Sequence, residues 1–238
     1  ETMIVMEAFG KGLVLEPYLS TVVLGGGAVL LGGSEEQKKA ILPPVAEGKT
    51  KLALAFAERQ SRYNLADVET RAHKDGEAYV LDGMKGVVLG APSADRFVVA
   101  ARTDGDSRDR QGITLFLVDK GAQGVRVRGY PTADGGRAGE LYLEGVRVGP
   151  EAVLGRVGEG LPLLERVIDH GIAAVCAEAV GAMQALNELT LNYLKTRQQF
   201  GQPIGKFQVL QHRMVDMYIA HEEAKSMAMM AAIRVTEE

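Results

Sequence analysis

The chain has no tryptophan, 5% aromatic residues and one cysteine in 238 residues. So few rings leave little for the stacking platforms that flavin and nucleic-acid sites often use. A lone Cys176 excludes an internal disulfide, and its neighbours Ala173, Ala174, Val175 and Ala177 predict a small buried thiol on a helix. That fits a reducing compartment, and a cytoplasmic location is expected. Neither sign of charge dominates: 27 Lys and Arg stand against 31 Asp and Glu, interspersed, for a net charge of -4. No basic face or tail therefore points to nucleic acid or an anionic membrane, and neither is expected as a partner. No N-terminal stretch combines positive charge, a long apolar run and a cleavage site, because Gly25 to Gly33 interrupt the one apolar stretch near the start. No metal site is expected.

What is present reads as a folded chain, with 46% hydrophobic and 24% charged residues and enough length for two modest cores. Three textures follow one another. Residues 1–50 are helical in pattern: Met3 to Phe9 and Leu19 to Leu31 are apolar, and Ser34-Glu35-Glu36-Gln37 makes a capping box ahead of Ala40, Ile41 and Leu42. Pro43 and Pro44 are expected to stop that helix. The clusters Gly25-Gly26-Gly27 and Gly32-Gly33 follow no strand and lack G-x-G-x-x-G spacing, so they indicate close helix packing or a turn, not a phosphate loop.

Residues 51–155 switch to a period of two. Strands are predicted at Leu52–Phe56, Glu77–Leu81, Arg96–Arg102, Thr114–Val118, Val125–Arg128 and Glu140–Val148. Asp82-Gly83 and Asp104-Gly105 supply turns, and the whole reads as an antiparallel barrel or sandwich. In residues 156–238 the helical period returns with two long helices, Leu161–Thr196 and Phe207–Thr236, joined by a short turn. Ala173, Ala174, Ala177, Ala179, Gly181 and Ala182 thin one face of the first for close packing, and the methionines of the second read as a packing face. The class is α+β.

The turn itself, Arg197-Gln198-Gln199-Phe200-Gly201-Gln202-Pro203-Ile204-Gly205-Lys206-Phe207-Gln208, carries a guanidinium, a ring and an amide beside a backbone relaxed by glycine. That suits a nucleotide; a plain turn in which Arg197 caps carbonyls is the alternative. The run resembles the R-x-x-F-G signature of the acyl-CoA dehydrogenases, and the order helix, sheet, long helices is similar to theirs. The resemblance implies FAD, an acyl-CoA substrate desaturated between Cα and Cβ as in fatty acid β-oxidation, an electron-transfer flavoprotein-like acceptor and an oligomer. In that family's order, the chain would begin within the N-terminal helical domain and end halfway through a four-helix bundle.

Site residues carried over from the resemblance fall into three groups. At the turn, Arg197, Gln199, Phe200 and Gln208 would contact the FAD of a neighbouring subunit. Ala57-Glu58-Arg59-Gln60-Ser61-Arg62-Tyr63-Asn64 stands where the family has T-E-P-x-x-G-S-D; Glu58 matches and would belong to the FAD site, Ala57 replaces a flavin-bonding hydroxyl, and Tyr63, Arg59 and Arg62 would meet substrate. For the two arginines, a solvated surface role is the other reading. Gly83-Met84-Lys85-Gly86-Val87-Val88-Leu89-Gly90 stands for G-x-K-x-W-I-T-N, so Val87 and Leu89 replace the ring and hydroxyl beside the flavin. Ile168-Asp169-His170-Gly171-Ile172 keeps the Asp of a run that contacts pantetheine, making Asp169 a substrate candidate. Gly171 closes one route to a catalytic carboxylate, His170 is more plausible as a lone structural histidine than as a base, and the commoner family base is expected beyond residue 238. The stretch Phe56–Asn64 resembles most the small subunits of pimeloyl-CoA dehydrogenases. Two further readings stand beside the dehydrogenase: a half-site small subunit completed by a large dehydrogenase subunit, and a cofactor-free interaction protein.

Overall fold

The apolar run Leu52–Ala55 shows none of the alternation of a half-wetted strand, and the computed structural model, which describes residues 1–237, buries all four residues. This strand, β1, lies parallel to β4 (Arg96–Arg102), itself buried from Phe97 onward. Parallel strands need cover on both faces, which is why both read as continuous apolar runs. Around them β2 (Arg71–Asp75), β3 (Ala78–Leu89), β5 (Ile113–Asp119), β6 (Val125–Pro131), β7 (Arg137–Val148) and β8 (Val153–Leu154) build an open sheet in the order β6-β7-β3-β2-β4-β5-β8. The α+β class is as read from the sequence, but the pairing is mixed: β1 and β2 both meet β4 in parallel.

Several local expectations need correction. The first strand stops at Ala55, one residue short of Phe56. Strand β2 has the sequence Arg-Ala-His-Lys-Asp, with only Ala72 buried, so it has no apolar alternation to find. Asp82-Gly83 is not a turn but lies inside β3, which continues to Leu89. Asp82 Oδ1 accepts the Gly145 amide at 2.7 Å, and a Cβ on Gly83 would stand 2.6 Å from Thr70 Oγ1. Long-range contacts have taken over a local turn signal.

The chain divides into two packing units, Leu15–Asp169 and the pair of segments Glu1–Val14 and His170–Glu238. In the first, Leu19–Gly26 forms a π-helical stretch that continues into α2 (Gly27–Gly32), followed by α3 (Glu35–Ala46). Ser34 closes the capping box: Gln37 N donates to its Oγ at 3.2 Å and Ser34 N donates to Gln37 Oε1 at 2.8 Å. Pro43 and Pro44 do not stop α3. Their missing N–H groups leave the carbonyls of Lys39 and Ala40 free, and both residues are exposed, so water can serve them. The glycine clusters do mark close packing, since a Cβ on Gly25 would overlap Leu52 and one on Gly32 would overlap Leu163. One core joins these helices and the start of α4 (Gly160–Thr196) to the sheet through Leu24, Val29, Ile41, Leu54, Val98 and Leu164. A second fills the other face with Leu81, Val88, Phe97, Phe116, Leu141 and Val146.

In the second unit α1 (Thr2–Gly12) packs on α4 at glycines. A Cβ on Gly10 would overlap the Glu178 carbonyl and one on Gly181 the Glu7 carbonyl, so the two backbones touch. Lys11 pairs with Glu188 at 2.9 Å beside this crossing. Of the thin face on α4, Ala173, Ala174, Ala177 and Gly181 are buried and Ala179 is exposed. Cys176 is exposed as well, contrary to expectation, because it lies on the far side of the helix from that face. A two-residue hairpin leads into α5 (Gln208–Glu237), and Asn187 Nδ2 of α4 donates to the Met217 carbonyl at 3.4 Å. Among the described residues α5 buries only His221 and Ala228, so Met227, Met229 and Met230 form no buried face here.

Candidate functional site

Each packing unit presents its own cluster of predicted residues. In the second unit, the turn after α4 is a small β-hairpin in which β9 (Gln198–Gln199) faces β10 (Gln202–Pro203) across Phe200-Gly201. Both tip residues have positive φ, 53° and 75°, the requirement of a tight primed turn. Glycine takes that conformation freely; phenylalanine does so at a cost of about 1 kcal/mol or more. Strain of this kind is retained where the surrounding structure fixes it. Ile204 N donates to the Arg197 carbonyl at 2.8 Å, Gln211 Nε2 donates to the Gly205 carbonyl at 2.8 Å, and Phe207 meets the Phe200 ring edge-on at 5.9 Å.

The result is a ring held out toward solvent, 89% exposed. Arg197, Gln199 and Gln208 are also exposed. Arg197 does not cap the helix with its side chain: among the described residues its guanidinium makes no hydrogen bond or ion pair. The hairpin therefore offers an unengaged guanidinium fork and an apolar ring, which suit a pyrophosphate and the flat face of a nucleotide.

In the first unit, the loop after β1 is anchored by Glu58. Its Oε1 accepts Lys85 Nζ at 2.6 Å and Thr70 N at 3.0 Å, while Oε2 accepts Gln60 Nε2 at 2.8 Å and Glu69 N at 2.8 Å. The pair is dry, with side chains 0% and 3% exposed for Lys85 and Glu58. Burial alone would raise the Glu58 carboxyl, but the Lys85 charge and the hydrogen bonds from Lys85, Gln60 and Thr70 outweigh it and hold the pKa at about 2. Burial pulls Lys85 down, and Glu58 opposes that pull. Glu58 is thus consumed within the protein, where it fixes the loop rather than facing a ligand. Lys85 carries no site signal of its own in the sequence; it stands inside the Gly83 to Gly90 run, and only its distant partner Glu58 reveals its role.

Above this pair Gly86 N donates to the Ala57 carbonyl at 2.8 Å, which brings Ala57 beside Val87. Val87 and Leu89 are 55% and 39% exposed, so this surface is apolar and carries no side-chain donor at Ala57, Val87 or Leu89. Arg59 Nη2 lies 3.4 Å from Glu140 Oε1 on β7, and the Tyr142 hydroxyl donates to the same carboxylate at 2.5 Å. That hydrogen bond, helped by the Arg128 and Arg59 charges, lowers the Glu140 pKa; the same hydrogen bond, with burial and the Glu140 charge, raises that of Tyr142 against the pull of Arg128 and Arg126. Arg62 has φ 48° and Tyr63 is 99% exposed, so the loop tip projects outward on strained backbone. Asp169 is exposed on α4 without a side-chain partner among the described residues, and His170 is half-buried. No group of three or more His, Cys, Asp or Glu among the described residues could hold a metal, and no helix there is long and apolar enough to cross a membrane.

The chain is similar to several known proteins. Residues 53–146 match the acyl-CoA dehydrogenase middle domain and residues 158–238 the acyl-CoA dehydrogenase C-terminal domain. A 3-(aryl)acrylate reductase of Clostridium sporogenes is 34% identical over 198 residues, which cover 82% of this chain and 52% of that protein. Butyryl-CoA dehydrogenase from Megasphaera elsdenii superposes with a TM-score of 0.93 at 29% identity, covering 99% of this chain and 63% of that one. The ChsE4-ChsE5 complex from Mycobacterium tuberculosis gives 0.88 at 30% identity, covering 100% and 61%. The chain thus spans about half the length of the curated relatives it matches. With middle and C-terminal domains both matched and the fold shared, the chain belongs to the acyl-CoA dehydrogenase family.

Proposed function

We propose that this chain forms part of an FAD-dependent acyl-CoA dehydrogenase that desaturates an acyl thioester between Cα and Cβ. The observation that carries this reading is the Phe200 hairpin: a strained, exposed ring beside a guanidinium with no partner among the described residues. Arg197 would bind the pyrophosphate, Phe200 the apolar surface of the nucleotide, and Gln199 and Gln208 its polar edges. When bound, the flavin supplies the acceptor for the β-hydride. Asp169 would orient the thioester arm by a hydrogen bond. Electrons would pass to an electron-transfer flavoprotein-like acceptor.

The visible absorption spectrum of the purified protein tests this directly. A flavin band that bleaches on anaerobic addition of an acyl-CoA supports a dehydrogenase; a colourless protein that gains no flavin under any pairing removes the reading. At the hairpin, Arg197→Ala should weaken FAD binding about tenfold or more, as expected for loss of a charged hydrogen bond. Phe200→Gly should do the same while leaving stability within about 1 kcal/mol, since relief of strain offsets the lost ring contact. Fluorescence titration with FAD and urea unfolding check both, and unchanged FAD affinity would return the hairpin to a structural role.

A second reading has its own support. Ala57, Val87 and Leu89 give the flavin no side-chain hydrogen bond, which favours a half-site small subunit paired with a large dehydrogenase subunit. Similarity to a two-component complex is consistent with it. A chain that acquires flavin and activity only with such a partner would decide for it. The dicarboxylyl substrate, pimeloyl-CoA among them, rests on Arg62, exposed and without a side-chain partner among the described residues, and on Arg59, only loosely held by Glu140. Arg62→Ala should raise KM roughly tenfold for dicarboxylyl but not monocarboxylyl thioesters. Equal effects on the two would remove carboxylate recognition.

A further inference from the structure

Strand β3 changes sides partway along. Tyr79, Leu81 and Lys85 are buried, all at odd positions, yet beyond Lys85 the buried residue is Val88, and Val87 and Leu89 face out. The register explains how. Lys85 stands opposite Leu141 and Val88 opposite Gly139, so Gly86 and Val87 together oppose Glu140 in a β-bulge. An extra residue in a strand of period two swaps its faces.

This swap runs against local apolar burial. A strand continuing without the bulge would bury Val87 and Leu89 and expose only Val88, a gain of one apolar side chain in the core. Some specific interaction must hold the bulged form. The fully buried Lys85–Glu58 pair sits at the residue where the bulge begins. Lys85 Nζ also approaches the Phe56 carbonyl at 3.4 Å, and the next residue, Gly86, is tied to Ala57. Stability alone does not account for such a pair, because a dry ion pair is often no more stabilising than an apolar one of similar size; fixing a register is the best-attested use of such groups.

We propose that Lys85 and Glu58 are positioning residues that pin the β3 register, turning Val87 and Leu89 outward to make the surface beside Ala57. The pin holds the start of the bulge against the loop after β1, and loss of both charges releases the strand to the slipped register. That the outward surface meets a flavin rests on the function proposed above; the register claim does not.

The test uses thiol accessibility in the full chain, with Cys176→Ser removing the exposed native thiol. Val87→Cys, Val88→Cys and Leu89→Cys are introduced singly, and their rates with a maleimide are compared. With the pair intact, positions 87 and 89 should react about tenfold or more faster than 88, which needs local opening. Because Lys85→Met alone strands a buried carboxylate, the deciding background is Lys85→Met with Glu58→Leu. There the order should reverse, 88 reacting fastest. An order that persists in the folded double variant overturns the proposal and assigns the bulge to the compensating irregularity opposite, near Gly145 of β7. A double variant without folded circular dichroism overturns it too, since a register pin leaves a folded alternative. FAD titration of the same samples separates the two ideas: a parent that binds no FAD but shows the reversal keeps the pin and loses the flavin reading.

Discussion

Replacing Arg102 by Met should lower the unfolding free energy by about 4 kcal/mol, a large part of the 5–15 kcal/mol typical of a domain. Arg102 is 1% exposed at the end of β4, and its guanidinium donates to six backbone carbonyls, those of Ala66, Val68, Asp104, Ser107, Asp109 and Gln111, at 2.8–3.3 Å. No carboxylate among the described residues pairs with it directly. Burial pulls its pKa down, with Asp109 opposing, but a guanidinium stays charged under any such shift. The side chain therefore acts as a cationic hub for two irregular segments, the one approaching β2 and the loop from Asp104 to Gln111. Removing it strands carbonyls that neither segment can satisfy by itself. Arg102→Lys keeps the charge but loses the planar fork, so it should recover less than half of the loss. Urea unfolding followed by circular dichroism measures both, and a change below about 1 kcal/mol would show that the loops stand without the hub.

Neither Arg102 nor the Lys85–Glu58 pair was legible in the chain, and the reason is physical. Arg102 closes an apolar strand and reads as its first wet residue, because nothing local reveals that two loops fold over it. Glu58 and Lys85 lie 27 residues apart, and a long-range pair leaves no periodic trace. What was legible was periodic or locally specified. The two long helices came within one or two residues of their observed bounds, and the Ser34 capping box formed as its spacing requires. Strand Arg96–Arg102 is legible to the residue because Phe97–Ala101 is uniformly apolar between two arginines. Local signals failed where tertiary contacts overrode them, at Asp82-Gly83 inside β3, at Pro43 and Pro44 inside α3, and at β2 with its single buried alanine. The Arg197 to Gln208 run was visible as unusual, but the hairpin that aims Phe200 outward depends on φ angles that composition does not report.

The Lys85–Glu58 pair should also give this protein an acid response that inverts when Lys85 is replaced. In the parent, Glu58 is held at about 2, below the value near 4.3 of an unfolded chain. A depressed carboxyl contributes stability that is present above the unfolded pKa and lost as pH falls through the folded one. The loss is of order 3 kcal/mol between about pH 5 and pH 2. Lys85→Met removes the attraction that outweighs burial. The stranded carboxyl then rises above its unfolded value, and a raised group contributes stability below the unfolded pKa that disappears as pH climbs. The variant should lose about 3–5 kcal/mol at pH 7, the cost of an uncompensated buried charge, and regain part of it near pH 4, where the parent is weakening. Adding Glu58→Gln should flatten both slopes. Urea midpoints at pH 7, 5, 4 and 3 distinguish the outcomes, and a Lys85→Met protein that weakens in acid as the parent does would mean that the Gln60, Glu69 and Thr70 donors alone keep Glu58 ionised.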